Sequence, residues 1–159
     1  MAAALAAATL AACGGAPREP TAPRRIGGHV VAVSDGDTIR VRLDSGRVER
    51  VRYIGVDTPE TAKPGTAAEC FADRAAAFNA RLVDGRTVRL VRDVEERDRY
   101  GRLLAYVYAG ETFINAELIR RGYAQPLTVP PNVREAGRFR RLAEKARRAG
   151  SGLWASCAS

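Results

Sequence analysis

A single histidine, His29, and three cysteines in 159 residues exclude a structural metal centre built from paired Cys and His ligands. The same scarcity removes the usual activating partner of a nucleophilic cysteine, since no histidine lies near Cys70 or Cys157. There is also no Gly-rich phosphate loop with its lysine, no twin-carboxylate helix motif and no internal repeat. The length allows one domain with one sizeable core, and excludes a catalytic domain plus a separate binding domain. Acidic residues are the minority: 18 Asp and Glu face 26 Lys and Arg, a formal net charge of +8. Such a balance suits an anionic partner, with nucleic acid and an acidic membrane surface as the two obvious classes, and does not choose between them.

The N-terminus reads as separate from the fold. Residues 1–12, MAAALAAATLAA, are apolar but too short for a spanning helix, which needs roughly 20 apolar residues. That length suits the apolar region of an export signal. Leu10, Ala11, Ala12, Cys13 and Gly14 resemble a bacterial lipoprotein signal, in which the cysteine is lipidated and becomes the membrane tether, although no Lys or Arg precedes Arg18. Residues 13–27 mix Gly, Pro and charge without apolar periodicity and read as a flexible tether, leaving 28–157 as the folded domain. The expected location is therefore outside the cytoplasm, as a cell-envelope lipoprotein or a secreted protein. In an exported chain Cys70 and Cys157 are a disulfide candidate closing a long loop.

From His29 to Leu43, Val31 and Val33, then Ile39, Val41 and Leu43, alternate on either side of SDGD. This predicts two strands and a tight turn, with Arg40 and Arg42 facing away from the core. A third strand, Val48–Val56, sets Arg50 and Arg52 against Val51 and Tyr53. Residues 57–66 carry two prolines and read as a loop. A helix follows over 67–83, with Cys70 in its first turn and Phe71, Ala75, Phe78 and Leu82 as its apolar repeat. Strands are expected at 87–92 and 103–108, and helices at 115–121 and 133–149. Five short strands with helices inserted late point to an α+β protein built on a small curled sheet or barrel, rather than to alternating β/α units.

Two acidic turns then stand out. Asp35-Gly36-Asp37-Thr38 alone makes a good turn and needs no further purpose. Asp57-Thr58-Pro59-Glu60, at the end of the third strand, supplies a second carboxylate group. Two such turns at strand ends can form an all-oxygen pocket of the kind hard divalent cations require. Arg52 and Arg102 each lie on a strand beside a turn, where a guanidinium pair can clamp a phosphate.

SDGDT at 34–38, RYIGVDTPET at 52–61 and DRYGRLLAYVY at 98–108 resemble, in order and spacing, the signature blocks of the staphylococcal nuclease, or thermonuclease, family, and GLW at 152–154 resembles its closing element. The likeness runs over roughly residues 28–155. It implies an OB-like five-stranded barrel with three helices, acting as a calcium-dependent nuclease on DNA and RNA, with single-stranded or frayed regions preferred and 3'-phosphates left behind. On the matching positions, Asp37 and Asp57 are the expected Ca2+ ligands, with the backbone carbonyl of Thr58. Glu60 is expected to activate or orient the attacking water. Arg52 and Arg102 are expected on the scissile phosphate.

The chain departs from the family where aromatic side chains lie near the base: Leu127 and Val129 stand in QPLTVPPN. Stacking contributes about 1 to 3 kcal/mol per base, so this difference bears on substrate preference. Tyr100 is the remaining candidate substrate-binding aromatic, with a buried structural role as the alternative. Arg134, Arg138, Arg141, Lys145 and Arg148 on the last helix offer either a path for a polyanion or a solvated face. The protein is expected to act as a monomer. Two rival readings remain at this point: a non-catalytic nucleic-acid- or protein-binding module on the same barrel, and a purely structural envelope lipoprotein. Neither accounts for the acids and arginines together.

Overall fold

Alternating apolar residues account for most of the sheet. A computed structural model of the protein describes residues 25–157; the signal-like segment, Cys13 and the tether up to residue 24 lie outside the described residues. β1 (Arg25–Val33), β2 (Thr38–Leu43) and β3 (Val48–Tyr53) form an antiparallel meander. A two-residue β4 (Val56–Asp57) follows, then α1 (Ala72–Val83), β5 (Thr87–Val91), β6 (Leu103–Ala109), β7 (Thr112–Phe113) and α2 (Ile114–Arg120). β8 (Gln125–Pro126), α3 (Ala136–Arg148) and the single turn α4 (Leu153–Ser156) complete the chain.

The strand order β3-β2-β1-β5-β6 closes on itself because β6 also pairs in parallel with β3, setting Val51, Arg52 and Tyr53 beside Leu103, Leu104 and Ala105. The result is a closed five-stranded barrel with helices, an OB-like α+β fold. Closure leaves none of the five strands with an open edge. Ile39, Val41, Val51, Tyr53, Leu90, Ala105 and Val107 fill the interior, and α2 and α3 cover one end with Ile114, Leu118, Ile119 and Phe139.

Four boundaries differ from the sequence expectation by three residues or more. β1 starts at Arg25, because Arg25, Ile26 and Gly27 already pair with Val91, Leu90 and Arg89 of β5. A register shift between Val30 and Ala32 reverses the expected facing: Val30 is buried at 1% exposure and Val31 is exposed at 38%. Strict alternation cannot reveal such a bulge, which adds a residue to one strand only. β3 stops at Tyr53 rather than Val56. Gly55 turns the chain with φ 78°, and a Cβ there would lie 2.5 Å from the Phe139 ring, so α3 can pack on this turn only over a glycine.

α1 begins at Ala72, five residues later than expected, and Cys70 precedes the helix instead of sitting in its first turn. Phe71 has φ 74°, which breaks helical geometry. Residues 67–70 are exposed and bury no apolar face that would favour a further helical turn. The buried face of α1 is Ala72, Ala75, Asn79 and Val83. Phe71 and Phe78 flank it and pack on the Tyr123 ring, with centroids 5.2 and 4.0 Å away. α3 likewise begins three residues late, at Ala136.

Cys70 and Cys157 form a disulfide across a sequence separation of 87 residues. It ties the exposed segment before α1 to the end of the chain. In the chain-entropy account, closing a loop of that length in the unfolded state is worth about 4.6 kcal/mol. Cys157→Ser, or reduction of the wild-type protein, is expected to lower the unfolding free energy in urea by about that amount. An unchanged denaturation midpoint would show that the bridge adds no stability.

Candidate active site

The functional residues converge because β2 and β3 are in register. Thr38 pairs with Arg52, which places the turn between β1 and β2 beside the turn between β3 and β4. Asp37 sits between the two turns, 5% exposed. Its Oδ2 accepts hydrogen bonds from the Thr58 backbone N–H (3.0 Å) and the Thr58 hydroxyl (2.9 Å), and lies 2.8 Å from Arg52 Nη1. Among the described residues its Oδ1 accepts only from the Thr38 hydroxyl, at 3.2 Å. Gly36 makes the approach possible, since a Cβ there would lie 2.7 Å from the Thr58 side chain.

Arg52 straddles both acidic turns. Nη1 also donates to the Val56 carbonyl at 2.9 Å, and Nη2 donates to Asp57 Oδ1 at 3.1 Å. Asp57 is itself half-exposed, and no group among the described residues donates to its Oδ2. Asp37, Arg52, Asp57 and Thr58 therefore form one network. Burial pushes the Asp37 carboxyl up to about 6, against the pull of Arg52; the Asp35 charge adds to the rise, and the Thr58 hydrogen bonds oppose it. Negative charge is concentrated here and is only partly balanced by Arg52.

A buried relay holds the first turn from behind. Tyr53 OH donates to Asn79 Oδ1 at 2.9 Å, and Asn79 Nδ2 donates to the Asp35 carbonyl at 2.9 Å. The Tyr53 N–H donates to the Asp37 carbonyl, also at 2.9 Å. Burial raises the Tyr53 hydroxyl above the ordinary phenol range, so it remains a donor.

Arg102 reaches the site from the start of β6. Asp98 accepts from its Nε at 2.7 Å and from its backbone N–H at 2.9 Å. Burial raises the Asp98 carboxyl, but these contacts outweigh it and hold the group below the ordinary carboxylate range. The grip on Nε leaves both Nη groups of Arg102 without a partner among the described residues. Arg52 and Arg102 line one cleft of about 440 Å³ with Asp98, Tyr100, Leu127 and Val129. Tyr100 is 65% exposed, with the Arg102 guanidinium 5.5 Å from its ring centre. It is a surface aromatic at the cleft rather than a buried structural tyrosine. Leu127 and Val129 present exposed aliphatic surface to the same cleft.

Glu60 is not part of the network. It lies on the loop after β4 with its carboxylate exposed, and its Oε2 is 2.6 Å from Lys63 Nζ. Its backbone is clamped both ways by Glu69, whose side chain accepts the Glu60 N–H and whose N–H donates to the Glu60 carbonyl, each at 2.9 Å. Lys63, Glu69, Asp98 and Asn79 all bear on the site without having been singled out in the sequence. Asp98 lies inside the DRYGR block, and Asn79 is a polar residue on the apolar face of a helix, which is a readable signal. Lys63 and Glu69 are charged residues in a loop and carry none.

Residues 50–156 match the family described as staphylococcal nuclease homologue. The chain is 39% identical to a thermonuclease of Staphylococcus hyicus over 127 residues, covering 80% of this chain and 75% of that one. A thermonuclease of Staphylococcus intermedius is 43% identical over 119 residues, covering 75% and 68%. Endonuclease YncB of Bacillus subtilis (strain 168) is 37% identical over 122 residues, covering 76% and 57%.

The relay behind the acidic turn gives a direct test. Asn79→Ala strands the Tyr53 hydroxyl and the Asp35 carbonyl, and should cost about 2 to 3 kcal/mol of stability. Adding Tyr53→Phe removes one stranded group and should recover part of that loss. Additive losses in chemical denaturation would mean the two side chains are not coupled.

Proposed function

The chain belongs to the staphylococcal nuclease family and is a nuclease, and from that premise we propose that it hydrolyses DNA and RNA with calcium held by Asp37, Asp57 and the Thr58 carbonyl. The observation that carries this reading is the buried Asp37 carboxylate, joined to Arg52 and Thr58 at the side of an open, arginine-lined cleft.

The donor set fits a hard cation. Asp37 Oδ1 and Asp57 Oδ2 both have lone pairs to spare, and a cation would offset the desolvation that raises the Asp37 carboxyl. No three His, Cys, Asp or Glu side chains converge among the described residues. Two carboxylates and a carbonyl would thus be completed by water and phosphate oxygens, which calcium accepts in its loose shell of 6 to 8 ligands. When bound, calcium supplies positive charge that offsets the charge growing on the phosphate in the transition state.

Arg52 and Arg102 provide the rest of that charge. Arg52 is held by the Val56 carbonyl and the two aspartates, and Arg102 by Asp98, so both guanidiniums are set before substrate arrives. Glu60 takes a proton from the attacking water as the new P–O bond forms. Cleavage of the bond to the 5' oxygen then leaves a 3'-phosphate, and the departing 5' oxygen takes a proton from solvent to become a hydroxyl. In the structure Glu60 engages Lys63, so it must exchange that partner for water. Both side chains of the pair are more than half exposed, at 62% and 56%, and solvent screens them, which makes the exchange inexpensive.

The cleft favours an unpaired strand, since Tyr100 offers a ring face that only an unstacked base can cover. Aliphatic Leu127 and Val129 weaken stacking and broaden base tolerance. Export completes the reading, with Cys13 as the lipid anchor and the barrel working as a monomer outside the cell, where calcium is abundant. The Cys70–Cys157 bridge suits such an oxidising location.

The purified protein is expected to cleave single-stranded DNA and RNA with calcium and to stop when the ion is chelated. Cleavage that a chelator leaves untouched, or no cleavage at all, would overturn the metal or the nuclease assignment respectively. Glu60→Gln should lower kcat by about 10²- to 10⁴-fold, and Arg52→Ala by about 10²- to 10³-fold. A rate equal to wild type in either variant removes that residue from the mechanism.

A further inference from the structure

Arg40 on β2 and Arg50 on β3 stand directly opposite each other in the antiparallel ladder, both exposed on the outer wall of the barrel. Opposed residues in such a ladder have Cα atoms about 4.5 to 5.5 Å apart, and like charges placed this way destabilise a sheet. Nothing among the described residues offsets the repulsion. Neither guanidinium has a hydrogen-bond or ion-pair partner there. The flanking register positions are Thr38, Arg42, Val48, Arg52 and Ala32, none of them acidic. Glu49, next to Arg50 in the chain, alternates to the other side of the strand and is held bidentately by Arg97, each contact 2.9 Å.

The position of this uncompensated pair is informative. Arg50 and Arg52 share one face of β3, two residues apart, which sets them about 6.7 Å from one another along the strand. That is similar to the spacing of successive phosphates in an extended nucleic-acid strand. We propose that Arg40 and Arg50 form a second phosphate-binding station, which takes the phosphate next to the scissile one on the same substrate strand. The proposal rests on Arg52 as a ligand of the scissile phosphate and adds a contact to the neighbouring phosphate of the same DNA or RNA strand. A phosphate seated between the two guanidiniums converts the repulsion of the free protein into binding energy. An acidic lipid surface would meet the same charge, but has no use for the register with Arg52.

The test is binding of a fluorescent oligothymidylate of about 12 residues, followed by anisotropy in a Glu60→Gln background so that the probe stays intact. Adding Arg40→Gln and Arg50→Gln should weaken binding on the order of 20-fold near 0.1 M salt and reduce the log–log salt slope by about 1.4, two contacts at about 0.7 each. Binding of a labelled mononucleotide should be unchanged, and the thermal midpoint should stay level or rise as the repulsion is relieved. Oligonucleotide affinity and slope equal to the parent would overturn the station, as would an equal loss for the mononucleotide. An effect confined to phosphatidylglycerol vesicles would assign the pair to a membrane instead. Because the readout is binding, it decides the role of the two arginines even if the wild-type protein cleaves nothing.

Discussion

The Asp37 carboxylate is the joint on which the site depends. Two hydrogen bonds from Thr58 and the charge of Arg52 tie the first acidic turn to the second. The arrangement places a carboxylate where desolvation resists its ionisation. It persists because the barrel brings the turns together whether or not the contact is favourable: the pairing of Thr38 with Arg52 and the Tyr53–Asn79 relay set the geometry from outside. The fold thus carries the cost of a desolvated carboxylate at this position.

Much of the barrel was legible because its signal is local. Ile39, Val41 and Leu43, or Val51 and Tyr53, announce their facing through alternation alone. What escaped depended on contacts distant in sequence. The bulge at Val31 is visible only against the partner strand, and the turn at Gly55 only against Phe139 of a helix some eighty residues on. The late start of α1 reflects the lack of anything for residues 67–70 to pack on.

The acids and arginines could be picked out as residue types, and the nuclease resemblance gave them company, but their connections could not be read. Asp37, Arg52, Asp57 and Thr58 meet in one network, whereas Glu60 stands apart with Lys63. Loop conformation decides that difference, and a loop with two prolines and scattered charges has no periodicity to interpret. The Arg40–Arg50 opposition is a complementary case. Each arginine is unremarkable on its own strand, and only the register makes them neighbours.

Barrel closure also has a consequence in time. β3 is complete at Tyr53, yet the strand that seals its free side begins at Leu103. A chain emerging from a ribosome therefore exposes an unpaired strand carrying Arg52 until roughly two thirds of its length has appeared. Only then can the parallel pairing form, and Arg102 arrives with it. The two acidic turns, with Asp37, Arg52 and Thr58, are thus encoded in little more than the first third of the chain, while the strand that closes the barrel around them comes from its later half.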